Sequence, residues 1–121
     1  MILPDTNIWI DHLRQRDDAF TALLVQKQIV LHPFVLGEIS LGLRGSARHF
    51  VELFSEVRPP PVASAPEMLA FIAEQELHGT GIGYVDAHLL AAALLTNRGQ
   101  LWTRDKKLHK QAERLGVAYT P

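Results

Sequence analysis

A chain of 121 residues, 47% hydrophobic and 21% charged, lies near the commonest domain size and far from the apolar-poor, charge-rich composition of disorder, so one domain with one core is expected. It contains no cysteine, which excludes a disulfide framework and every thiolate metal site. The balance of 12 Lys and Arg against 13 Asp and Glu gives a formal net charge of -1, which does not advertise a polyanion partner. The N-terminus has no basic region followed by an apolar stretch, and the tract from Leu89 to Leu95 is too short to span a bilayer, so a cytoplasmic protein is expected.

In chain order, Met1 to Pro4 is a short apolar run read as a strand, although Pro4 removes a backbone donor at its end. Thr6 and Asn7 offer caps to a helix carrying Ile8, Trp9, Ile10 and Leu13. A second helix is predicted from Asp17 to Lys27 and a short buried strand from Gln28 to His32. Pro33 opens a helix from Phe34 to Leu43, closed by Gly45, and another follows from Ser46 to Ser55 with Phe50 and Phe54 as an apolar stripe. The proline run Pro59 to Pro61 marks a connection leading to a short edge strand near Val62. Helices are predicted from Pro66 to Leu77 and from Tyr84 to Leu95, separated by a glycine-punctuated loop from His78 to Gly83. Gln100 to Thr103 reads as a strand, Asp105 to Leu115 as a helix ended by Gly116, and Val117 to Tyr119 as a last strand. Strands separated by helices imply parallel pairing, hence a three-layer α/β/α sandwich around a small central parallel sheet, with its site at the carboxyl ends of the strands.

Asp5 follows the first strand and Asp105 stands just beyond the strand from Gln100 to Thr103, so two acids leave the same kind of strand end. Taken alone, Asp5 is more readily a turn or helix-cap aspartate, and it is the recurrence of such an acid at two strand ends that points to a site. Glu38 lies among Val35, Leu36, Ile39 and Leu43, where a glutamate is either paired in apolar surroundings or on the outer face of an amphipathic helix. Asp86 opens the most apolar helix, where it is either a dipole-stabilising residue or a partly buried charge. Four gathered carboxylates repel one another: two unit charges ~4 Å apart cost about 4 kcal/mol at an effective dielectric near 20. A divalent cation removes that penalty, and an all-oxygen set suits Mg²⁺ or Mn²⁺.

The segments Asp5-Thr6-Asn7-Ile8-Trp9-Ile10-Asp11, Gly37-Glu38-Ile39, Gly83-Tyr84-Val85-Asp86-Ala87 and Thr103-Arg104-Asp105 resemble those of the PIN-domain nucleases. Their order and the chain length are similar to the VapC toxins of toxin-antitoxin pairs. The resemblance implies one PIN-like nuclease domain over residues 1–121 and Mg²⁺- or Mn²⁺-dependent endoribonuclease activity on structured RNA. It also implies a homodimer and inhibition by a cognate antitoxin. By position, Asp5, Glu38, Asp86 and Asp105 match the family's acidic quartet. Asp5 and Asp86 are expected to bind the principal metal, with Asp105 and Glu38 closing the site or holding a second ion. Thr6, Asn7 and Thr103 match the polar residues that support the ligands and the attacking water.

Two other readings compete. A phosphoryl-accepting receiver-like regulator needs an acid pair after its first strand, and Asp5 has no adjacent acid. A binding module that keeps the PIN fold without chemistry has no reason to keep mutually repelling acids. The six histidines show no pair at zinc-ligand spacing, and Trp9 and Trp102 read as core. Six basic residues lie between Arg98 and Arg114 against two acids. Arg104 and Lys106 among them, with Arg14, Arg16, Arg44 and Arg48, are candidates for RNA phosphate contacts.

Overall fold

The computed structural model describes residues 1–42 and 55–121. Gly45, the helix from Ser46 to Ser55 except its last residue, the Phe50–Phe54 stripe, Arg44 and Arg48 lie outside the described residues. Two parallel strands, β1 (Ile2–Pro4) and β2 (Gln100–Trp102), pair in the register Ile2↔Gln100, Leu3↔Leu101 and Pro4↔Trp102. They are flanked by six helices among the described residues: α1 (Thr6–Arg14), α2 (Asp18–Val25), α3 (Pro33–Gly42), α4 (Ala65–Glu74), α5 (Tyr84–Leu95) and α6 (Lys106–Arg114). None is long and apolar enough to cross a membrane.

All the described helices but α5, which opens on Gly83, begin where a side chain or proline deals with unpaired first-turn amides. Asp17 Oδ1 accepts from the Ala19 and Phe20 N–H groups to open α2. Pro33 supplies the first residue of α3, and Ser64 and Glu67 form a reciprocal capping box on α4. Gly116, at φ 76°, ends α6 in the left-handed region as expected. The core runs through the strands onto α5, whose Ala87 to Ala93 are all buried. Trp9 and Phe20 meet edge to face at 4.9 Å between ring centres, and Phe20 also touches the Trp102 ring. Both tryptophans are core, as read from the sequence.

The outer strands are shorter than expected. Residues 28–32 contribute one bridge, Ile29 to Ile2, and residues 117–119 one bridge, Ala118 to Leu101. At the first edge Ile2 N–H donates to Gln28 O and Val30 N–H to Ile2 O, but Leu31 N–H already turns away to Arg58 O, and Pro33 then starts α3. Val62 is exposed and in no strand, because the prolines before it have no amide to add to a ladder. Pro4 does not interrupt the central pairing. Alternate residues of β1 bond to opposite sides, so its nitrogen faces the residue 28–30 side, while Asp5 N–H makes the next rung to Trp102 O at 2.8 Å. Both strands therefore end on one edge, and their following acids leave it side by side.

Candidate active site

Asp5 sits where β1 becomes α1. Its carbonyl accepts from the Ile8 and Trp9 amides, and its Oδ1 accepts from Thr6 N–H at 2.7 Å. The cap of α1 is thus Asp5 itself, whereas the expected caps Thr6 and Asn7 are the first residues of the helix. The other carboxylate oxygen, Oδ2, accepts from the Thr103 hydroxyl at 2.8 Å, and that hydroxyl oxygen in turn accepts from Asp105 N–H at 3.1 Å. Asp105 caps α6 by accepting from Lys107 N–H and Leu108 N–H through Oδ1. On the other flank Thr6 Oγ1 donates to Glu38 Oε1 at 2.9 Å.

One continuous chain of hydrogen bonds therefore joins Glu38, Thr6, Asp5, Thr103 and Asp105. It has a direction: each threonine spends its only proton on a carboxylate, so neither has one left to offer a water. Thr6 and Thr103 hold the acids in place. Asn7 is exposed and makes no hydrogen bond to the acids among the described residues. Glu38 is exposed, with the apolar positions Val35 and Ile39 fully buried beneath it, so of the two sequence readings the outer-face one describes its position.

Asp86 joins the group through charge. It is half-buried on the first turn of α5, and its Oδ2 reaches back to accept from Gly83 N–H at 3.2 Å. Burial pushes its pKa above the ordinary aspartate value, the Gly83 hydrogen bond opposes that, and the charges of Asp5, Asp105 and Glu38 push it further up. All four carboxylates thus share one electrostatic neighbourhood. Among the described residues no three acidic or histidine side chains are close enough to grip an ion unaided.

Two residues that the sequence reading set aside are brought together by the fold. His32 and His88 are buried, with ring centres 5.9 Å apart. His32 Nδ1 accepts from Phe34 N–H at 3.0 Å and so caps α3, which leaves its proton on Nε2. That Nε2 and His88 Nδ1 have no hydrogen-bond partner among the described residues. The rings of Phe34 and Tyr84 pack edge-on against His88. Burial, and then the neighbouring His88, lower the His32 pKa to about 4. Residue spacing gives no warning of this pair, because it forms only when the start of α3 meets α5.

The basic candidates divide. Arg104 is paired with Asp11 and Arg16 with Asp18, while Arg114 ties α6 to Gln75 O of the segment after α4. Arg14 and Lys106 are exposed and make no ion pair among the described residues.

This arrangement of acids at a strand edge can be set against known proteins. The family model described as PIN domain matches residues 2–114. The chain belongs to the PIN-domain family. Its fold is the α/β PIN fold, with a small parallel sheet. Ribonuclease VapC32 of Mycobacterium tuberculosis, from strains H37Rv and CDC 1551 / Oshkosh, is 37% identical over 118 residues, which covers 98% of this chain and 95% of that protein. This PIN domain is therefore VapC-like. Among solved structures, a chain of FitAcB from Neisseria gonorrhoeae superposes with a TM-score of 0.65 at 24% identity, covering 98% of this chain and 95% of that one. A chain of FitAB bound to an IR36 DNA fragment gives 0.63 at 25% identity, covering 98% and 92%.

Proposed function

We propose that this PIN domain is a Mg²⁺- or Mn²⁺-dependent endoribonuclease, the toxin of a toxin-antitoxin pair, which hydrolyses phosphodiesters in structured RNA as a cytoplasmic homodimer restrained by a cognate antitoxin. The observation that carries it is the hydrogen-bonded chain from Glu38 to Asp105 facing Asp86: helix capping accounts for Asp5, Asp86 and Asp105 one by one, but not for gathering four like charges at one edge. The match to a protein named a ribonuclease supports the same reading.

In this reading Asp5 and Asp86 hold the principal cation, and Asp105 and Glu38 close the site or hold a second. The cation supplies neutralisation of the carboxylates, activation of a water and stabilisation of charge on the phosphoryl oxygens. The chain's own part is orientation. Thr103 fixes Asp5 Oδ2 relative to Asp105, Thr6 fixes Glu38, and the Gly83 amide keeps Asp86 turned toward the N-terminal end of α5. Asp105 spends Oδ1 on the α6 amides, so Oδ2 is the atom it has to offer. A bound cation favours the charged form of Asp86, the form that burial and the neighbouring carboxylates disfavour.

The test is to incubate the purified protein, freed of co-purifying antitoxin, with total cellular RNA in Mg²⁺ or Mn²⁺ and to map new ends, beside EDTA and Asp86→Asn controls. Discrete cuts that need the metal and vanish in Asp86→Asn are expected. A folded wild-type protein that binds either ion yet leaves RNA intact would overturn the reading.

A further inference from the structure

We propose that Lys107 holds a backbone phosphate of the RNA at the rim of the acid cluster, and that the Gly81 bend exists to seat it. The proposal rests on the ribonuclease reading above and adds the residue that offsets the site's repulsion for its own substrate.

An RNA strand brought to four carboxylates meets like charge, so a nuclease of this design needs cations that the protein itself leaves uncommitted. The strongly basic stretch from Arg98 to Arg114 does not supply them uniformly. Arg104 is spent on Asp11, and Arg114 on Gln111 and Gln75. Lys107 makes no ion pair among the described residues, yet its side chain has a defined bed. A Cβ placed on Gly81 would stand 2.9 Å from Lys107 Cδ, 3.2 Å from Nζ and 3.4 Å from Cε. The aliphatic stem and the ammonium therefore lie directly on the Gly81 backbone. Gly81 also has φ 85°, in the left-handed region, so a side chain there is strained by the backbone itself, while the flexible end of the exposed lysine can move aside.

The location gives this contact its meaning. Lys107 stands in the first turn of α6, its N–H bonded to Asp105 Oδ1, so the residue that anchors the lysine backbone is one of the four acids. Gly81 lies in the loop that runs into Gly83, whose N–H holds Asp86. The lysine stem thus spans from the segment carrying Asp105 to the segment leading to Asp86. An ammonium is a compact charge with three rotatable donors, which suits one non-bridging oxygen pair of a passing phosphate rather than a base edge.

RNA binding separates this role from general surface charge. In the Asp86→Asn background, without metal, labelled bulk transfer RNA is titrated over a salt series. Lys107→Ala is expected to weaken binding severalfold and to lower the salt slope by about 0.7–0.9, the release expected from one lost phosphate contact. Lys107→Arg should restore most of it, and Lys110→Ala, an equal charge loss on the same helix, should change neither quantity. Gly81→Ala should weaken binding when Lys107 is present and add nothing once it is alanine. In the cleaving parent, Lys107→Ala should raise KM more than it lowers kcat. Wild-type affinity and slope in Lys107→Ala, or an equal loss in Lys110→Ala, would overturn the proposal while leaving metal-dependent cleavage standing. Loss of RNA binding in Lys107→Ala without cleavage by the wild type would keep the lysine and overturn only the nuclease reading. No RNA binding by the parent overturns both.

Discussion

Helix α5, and α3 with the residue that caps it, each place one ionisable residue at the strand edge and one in the core, and the two regions they build obey opposite rules. Glu38 and Asp86 go to the edge, where each accepts a hydrogen bond and like charge is in excess. His32 and His88 go to the core, where charge is absent and hydrogen bonds are missing. Burial disfavours the charged form in both, raising the Asp86 pKa and lowering those of His32 and His88. The difference lies in the remedy. In the proposed reading a cation relieves the carboxylates, whereas burial favours the neutral imidazoles, and His88 packs against the rings of Phe34 and Tyr84.

The largest way to break this contrast is to neutralise the edge. Asp5→Asn should abolish cleavage and weaken Mg²⁺ binding, since it removes charge from a proposed ligand. It keeps an oxygen for the Thr6 amide, and asparagine is as good a cap as aspartate. Thermal melting in EDTA should then be unchanged or higher, because one repelling charge is gone. A large drop in Tm would make Asp5 a structural cap in the first place.

Cutting the chain of hydrogen bonds while leaving every charge in place is a smaller blow. Thr103→Val keeps the buried volume but strands Asp5 Oδ2 and Asp105 N–H, the two groups that the hydroxyl serves at once. It should cost about 1–3 kcal/mol of stability for the unmet partners and about 10- to 100-fold in activity or metal affinity, the usual effect of losing a residue that orients ligands. Denaturant melts with metal titrations check both. Full activity in a destabilised variant would show that the acids find their places without the threonine.

The edge was legible in the sequence and the core region was not, for a physical reason. Asp5 and Asp105 each follow a short apolar strand and precede a helix, so local pattern alone places them at strand ends, and parallel pairing puts those ends together. Asp86 was visible as a charge opening an apolar helix, and the bounds of α5 match the periodicity residue for residue. The flanking strands were over-read because the apolar runs around Ile29 and Val117 are buried as strands are, yet each makes only one bridge before the chain turns away. The apolar neighbours of Glu38 offered burial and outer-face readings with equal force, and only the packing of Val35 and Ile39 distinguishes them. His32 and His88 are far apart in the chain and share no spacing rule. Their meeting is a property of helix docking, as is the seat of Lys107 on Gly81, and neither carries a local signal.

The smallest test sharpens the contrast through acid. His32 in the fold has a pKa near 4 against an ordinary 6.5, so between those values the unfolded chain binds more protons than the native one, and stability falls as pH drops through that window. His88 and His12, both lowered chiefly by burial, add to the same slope. Asp86 works the other way: its raised pKa makes the native state the better proton acceptor above 3.8, so acidification relieves part of the edge repulsion. His32→Asn separates the contributions, since asparagine can still accept from Phe34 N–H and cap α3 but does not titrate. The variant should lose roughly 1–2 kcal/mol less than the wild type between pH 6.5 and 4, below the full value of the shift because local opening hydrates the ring before complete unfolding. Asp86→Asn should instead steepen the acid loss, because it lacks the group whose protonation favours the native state. Parallel pH profiles for the wild type and His32→Asn would mean that the imidazole is hydrated in the native state, and that the two regions differ less than their burial implies.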